Sequence, residues 1–141
     1  MPPIDLAPAH RLYAAFAARD AGAILAALHP EFVGTVSAGM PLEAGGRHDG
    51  PDAMLADVWG PVFGAYDVRV EPDAFLPTYD DRVVVLGAYR GTGRSGGAPL
   101  DARFAHVLTL RDDRIAALEQ ITDTARWHAA LAGPTPPRRA A

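Results

Sequence analysis

A chain of 141 residues is one domain's worth, long enough to bury a core without disulfide or metal staples. Its net charge of -4 lacks the basic face that a nucleic-acid backbone demands, and no apolar run reaches the roughly 20 residues of a membrane span. The absence of cysteine removes disulfide frameworks, thiol nucleophiles and thiolate metal sites, and the opening Met1-Pro-Pro-Ile-Asp5 has neither the charged nor the apolar region of a signal peptide, so a soluble cytoplasmic protein is the expectation.

In chain order, Leu6 to Ala18 reads as a helix, with Leu6, Tyr13, Phe16 and Ala17 recurring at helical spacing and Pro8 harmless in its first turn. Asp20 is placed to cap a second helix, Ala21 to Leu28, which His29-Pro30 ends. Phe32 to Val36 is a short strand. The glycine-rich stretch from Ser37 to Asp49 is long for a connection and suits a binding loop or lid. Its Arg47 and His48 either guard an entrance or are simply solvated. A third helix starts near Pro51 with Asp49 as its cap. Met54, Leu55, Val58, Trp59, Val62 and Phe63 form its apolar stripe, and Gly60-Pro61 should kink or end it.

Strands follow over Asp67 to Phe75, Arg82 to Gly91, Leu100 to Leu110 and Arg114 to Thr122. Gly91-Thr-Gly-Arg-Ser-Gly follows a strand but precedes no helix, so it is no dinucleotide fingerprint. A short helix, Thr124 to Leu131, closes a single domain over 1–131, and 132–141 read as a disordered tail. Helices first and antiparallel strands after predict an α+β fold: a cone-shaped curved sheet packed on three N-terminal helices around an apolar interior.

The last hairpin is the most informative segment. With Asp112-Asp113 as its turn, simple alternation pairs Leu110 with Ile115, Leu108 with Ala117, His106 with Glu119, Phe104 with Ile121 and Ala102 with Asp123. These residues then share one largely apolar face that also carries His106, Glu119 and Asp123. Burying such groups is costly unless they pair or line a cavity, and ionisable groups in a cavity mark an active site.

Several segments carry a family resemblance: Tyr13-Ala-Ala-Phe-Ala-Ala-Arg-Asp20, Leu28-His-Pro-Glu-Phe-Val33, His48-Asp-Gly-Pro-Asp-Ala-Met54 with Trp59, and Arg82 through Arg111-Asp-Asp-Arg-Ile115 to Thr122-Asp-Thr-Ala125. In order and spacing, over about residues 5 to 131, the chain resembles SnoaL-like members of the nuclear-transport-factor-2-like (cystatin-like) superfamily. The resemblance implies that fold, a pocket between helices and sheet, and a homodimer through the outer sheet face. In polyketide cyclases of that type an aspartate on the sheet is the acid/base, and Asp123 is the position most similar to it. In ketosteroid isomerases the oxyanion donor falls at His106. Their general base falls near the apolar Val36 and their tyrosine near Leu12, one place from Tyr13, which argues against steroid isomerisation. Epoxide opening needs arginine and aspartate on the strand that here runs Val83 to Tyr89, which is apolar.

His106 is then either an oxyanion donor or proton shuttle, or a core histidine bonded to Glu119. Asp123 is either a general base or the cap of the closing helix, and Glu119 is either the partner that orients His106, the role favoured here, or a solvated residue displaced by a bulge. Strand rise puts Asp123 about 13 Å from His106, so a mechanism with His106 and Glu119 alone is the geometric alternative. Tyr13, Trp59, Phe63, Tyr89, Phe104 and Ile121 are the candidate ligand-binding residues, with core packing as their plainer role. None of the five histidines forms a metal-binding pair, so no metal and no cofactor are expected. The expected function is a cofactor-free acid/base enzyme of cyclase, isomerase or lyase type acting on a small apolar carbonyl compound. The alternative is a non-catalytic module that binds a ligand or dimerises.

Overall fold

Helical spacing near the N-terminus becomes two helices in the computed structural model, which describes residues 4–132. The first, α1 (Ala7–Ala18), buries Leu12, Tyr13 and Phe16 on one face and stops at Arg19, which takes a left-handed conformation (φ 53°). The second, α2 (Ala21–Ala26), is capped as expected, the Asp20 carboxylate accepting from the Ala23 N–H at 3.1 Å. It is shorter than the helix read from sequence, because strand β1 (Leu28–Val36) already begins at Leu28 and takes in His29-Pro30. Pro30 has no N–H to give a ladder, and the register of β1 against its parallel neighbour shifts between Leu28 and Val33.

The glycine-rich loop ends in a short edge strand, β2 (Gly46–Asp49), paired with β1. Asp49 is not the cap of the next helix. Gly50 holds that position with φ 94°, while the Asp49 carboxylate accepts from Arg47 at 2.8 Å. Nor does Gly60-Pro61 end the third helix, α3, which runs on as Pro51–Met54, a π turn over Leu55–Trp59, and Gly60–Ala65. Proline would break the four-residue hydrogen-bond repeat. The wider π turn absorbs it, with the Gly60 N–H reaching back five residues to the Leu55 carbonyl.

Strands β3 (Tyr66–Pro77), β4 (Arg82–Gly93), β5 (Pro99–Arg111) and β6 (Arg114–Thr122) follow, then helix α4 (Thr124–Ala132). The six strands form one sheet in the order β2-β1-β6-β5-β4-β3, antiparallel except for the β1–β6 pair. The fold is therefore α+β, with helices against a curved sheet. Besides the shift on β1, the ladder is irregular between Pro72 and Ala74 on β3 and at Ala116 on β6, and such bulges bend a strand. Beside the irregularity on β3, a Cβ on Gly87 would lie 2.3 Å from the Glu71 carbonyl oxygen and 2.6 Å from the Phe104 ring, so only glycine fits. The inner face buries Val83, Val85, Phe104, Leu108, Ile115 and Leu118 under α1 and α3, and Trp127 of α4 seals one end. The expected tail lies, from residue 133 on, outside the described residues.

Candidate ligand site

The bulge on β6 decides which side chains face the interior. Leu110 pairs with Ile115 as read from sequence, but Thr109 pairs with Ala117, leaving Ala116 unmatched. Beyond it every partner slips by one, so His106 sits opposite Gln120, Val107 opposite Glu119 and Ala105 opposite Ile121. A one-residue slip exchanges the two faces of a strand. Leu118 and Gln120 therefore point inward, and Glu119 and Ile121 point out, Ile121 standing 52% exposed. The physical preference is plain: this register leaves Glu119 in water and buries a neutral amide in its place.

Three expectations are corrected by this. Glu119 does not orient His106: it lies on the opposite face of the sheet, the solvated residue displaced by a bulge that is the other reading of it. Asp123 does not face the interior either. Its half-exposed carboxylate pairs with Arg126 at 3.2 Å, one turn along α4. Ile121 is no lining residue. Replacing Asp123 by asparagine is accordingly expected to leave ligand binding in the interior unchanged and to shift stability by no more than about 1 kcal/mol, read from a urea midpoint. A loss of binding greater than tenfold would contradict this placement.

What the interior does hold is a chain of hydrogen bonds across buried polar groups. Gln120 Nε2–H donates to the Tyr89 hydroxyl (3.1 Å), the Tyr89 oxygen lies 2.5 Å from His106 Nε2, and His106 Nδ1 lies 2.8 Å from the Tyr13 hydroxyl. His106 and Gln120 are 3% and 8% exposed. Helix α1 supplies Tyr13, and adjacent strands β4, β5 and β6 supply Tyr89, His106 and Gln120. Phe104 stacks on the imidazole, ring centroids 3.9 Å apart and nearly parallel, and so lies behind His106 rather than on the cavity wall.

Burial penalises the imidazolium and pulls the His106 pKa down to about 3. The same desolvation raises Tyr13, with the Tyr89 phenol adding to it, and raises Tyr89 against the opposing hydrogen bond from Gln120. All four groups are thus neutral at ordinary pH. A neutral imidazole has one N–H and one acceptor nitrogen. With Gln120 donating to Tyr89, the two links to His106 use two of the three hydrogens on Tyr13, His106 and Tyr89. One phenolic hydrogen is left over. When Tyr13 donates to Nδ1 and Nε2–H donates to Tyr89, that spare hydrogen belongs to Tyr89.

Tyr89, His106 and Gln120 line an inner cavity of about 30 Å³ walled by Phe16, Trp59, Phe63 and Trp127 among others. That is room for a water or two. On the far side of Trp59 and Phe63 lies an outer apolar groove of about 200 Å³, bordered by Ile24, Leu55 and Arg19. Trp59 and Phe63 line both the cavity and the groove. Of the expected ligand-binding residues, Trp59, Phe63 and Tyr89 line the cavity, Tyr13 and Phe104 stand behind it, and Ile121 is outside. Sequence reading missed Gln120, Phe16 and Trp127. Gln120 was hidden by the bulge, while Phe16 and Trp127 carried the aromatic signal used for Trp59. His48, in the glycine-rich loop, donates from Nε2 to the Ala44 carbonyl at 2.7 Å. Among the described residues, no three His, Cys, Asp or Glu side chains converge on a metal-sized site, and no helix is long and apolar enough to cross a membrane.

The SnoaL-like domain family matches residues 9–118, and the chain belongs to that family. Among solved structures it is similar to an NTF2-like protein of unknown function from Burkholderia pseudomallei K96243, at 31% identity over 89% of this chain and 95% of that one, with a TM-score of 0.80. It is similar to TerC, co-crystallised with polyporic acid, at 28% identity over 89% and 96% of the two chains, with a TM-score of 0.80. A putative polyketide cyclase from Sinorhizobium meliloti shares the fold at 24% identity over 81% and 93%, TM-score 0.64. No curated protein matches the chain.

Proposed function

We propose that this chain takes a small, flat, largely apolar carbonyl compound between its helices and sheet and polarises the carbonyl with the Tyr89 hydroxyl. The observation that carries the reading is the buried Tyr13–His106–Tyr89–Gln120 chain ending at an aromatic-walled cavity. A donor held in place by a relay of neutral groups stabilises charge developing on an oxygen, as an oxyanion hole does. The TerC complex supports the choice of ligand shape, since a related chain is co-crystallised with polyporic acid. The inner cavity is too small for such a ligand with Trp59 and Phe63 in place. Binding therefore displaces those two rings and joins cavity to groove, with the ligand's polar end at Tyr89 and its apolar body towards Leu55 and Ile24.

A second reading, ligand binding without turnover, is favoured by one observation: among the described residues no carboxylate lines the cavity, and His106 is too weak a base to replace one. One experiment separates the two. 2-Acetylnaphthalene is titrated against the protein, and exchange of its methyl protons for deuterium is followed by NMR. The expected result is saturable binding that Tyr89→Phe weakens about tenfold. Exchange faster than in buffer identifies an enolising catalyst, and exchange at the buffer rate identifies a binder. Absence of saturable binding overturns the reading. Pairing of two copies through the outer sheet face, where Ile121 stands beside Ala105, belongs to the same proposal.

A further inference from the structure

Among the described residues, one buried side-chain polar atom has no hydrogen-bond partner: Gln120 Oε1. Its residue is 8% exposed and lines the inner cavity. Leaving a buried carbonyl oxygen unpaired is costly, and native structures pair nearly all such groups. The same amide is tethered through Nε2 to the Tyr89 hydroxyl, and in that orientation its oxygen is the end left without a protein donor. With the His106 tautomer that donates from Nε2 to Tyr89, the spare hydrogen of Tyr89 lies next to this spare acceptor. The cavity therefore offers one donor and one acceptor, both neutral, side by side on adjacent groups.

From this pairing we infer that Gln120 selects the ligand class: a planar compound whose carbonyl is flanked on the same edge by a hydroxyl or N–H donor, such as an enolised dicarbonyl, a hydroxyquinone in its neutral form or a cis-lactam. The carbonyl oxygen accepts from Tyr89 and the flanking donor gives its hydrogen to Gln120 Oε1. A simple ketone fills only the first of these positions and leaves the amide oxygen buried without a partner. The cavity has room for a water at that atom, and the correct ligand replaces such a water in kind. A site built to pair with a substrate's donor rejects the analogue that lacks it more strongly than an apolar pocket rejects a change of size. Glutamine thus tells an enol or lactam edge from a plain ketone edge. The inference rests on the carbonyl-binding reading of the same cavity and goes beyond it in naming the neighbour of the carbonyl.

Two near-isosteric probes test it. 2-Quinolone carries an N–H beside its carbonyl, and coumarin carries a ring oxygen in that place. Calorimetric titration of the unmodified protein is expected to show 2-quinolone binding about ten- to a hundredfold more tightly than coumarin. Gln120→Leu, and Gln120→Met as a second variant should the first fail to fold, are expected to erase that preference by weakening 2-quinolone alone. Equal binding of the two probes to the unmodified protein overturns the inference while leaving the carbonyl-binding reading intact. A preference for coumarin also overturns it, and would mean that the amide presents its NH2 to the cavity. If neither probe binds saturably, or if Tyr89→Phe leaves both affinities unchanged, the carbonyl-binding reading fails and takes the inference with it.

Discussion

Trp127→Ala is expected to cost about 3–5 kcal/mol of folding stability, the range for losing a buried tryptophan. The indole is 1% exposed and joins three parts of the molecule. It packs edge-on against Tyr66 at 4.9 Å and against Tyr89 at 4.8 Å between ring centroids, and its Nε1–H donates to Thr122 at 3.2 Å. The Tyr66 hydroxyl in turn donates to the Trp127 carbonyl at 2.7 Å. Truncation leaves a void next to the inner cavity, which neighbouring rings fill only partly. A urea titration reads the effect as a lowered midpoint at constant slope. A loss below about 1 kcal/mol would mean that α4 lies on the domain rather than in it.

The second large effect is a dependence on acidity. His106 has an ordinary pKa of 6.5 when unfolded and about 3 in its buried position, the cause being desolvation of the charged ring. Its folded value is depressed, so between pH 6.5 and 3 the unfolded chain holds a proton that the folded chain refuses. The contribution is whole above pH 6.5 and is lost as pH falls through that window, at on the order of 1.4 kcal/mol per pH unit. Urea midpoints at pH 7, 6, 5 and 4 for the unmodified protein and for His106→Asn isolate it, because the carboxylates titrate in both. The difference between the two curves is expected to shrink towards acid. Curves that run parallel from pH 7 to 4 would falsify the buried, neutral placement of the imidazole.

The sequence made much of the fold legible because local signals agreed with one another. Apolar spacing marked α1 and the stripe of α3, Asp20 marked a cap, and Asp112-Asp113 marked the tight turn of the last hairpin. Alternation also placed Ala102, Phe104, His106 and Leu108 on the inward face of β5, where the structure has them buried. On β6 the same rule failed after Ile115. Alternation counts every residue, and a bulge removes one from the count with no composition of its own to announce it. The error exchanged a glutamine for a glutamate and moved the expected acid/base chemistry to the wrong side of the sheet. The helix through Pro61 failed for a related reason: a π turn is a property of hydrogen-bond spacing, and proline alone signals only a break. Gln120 acquires its meaning only from what surrounds it. A glutamine on a strand is ordinary until three neighbouring elements close over it and leave half of its amide unspoken for.

The neutrality of the Tyr13–His106–Tyr89–Gln120 relay has a consequence for the surroundings in which the site works. Ions in solution screen charges, and this chamber presents none, so its affinity for an uncharged guest is indifferent to ionic strength. Recognition there depends on where hydrogens and lone pairs point, and the molecule keeps its numerous arginine–carboxylate pairs on the outside, where salt can weaken them without reaching the guest.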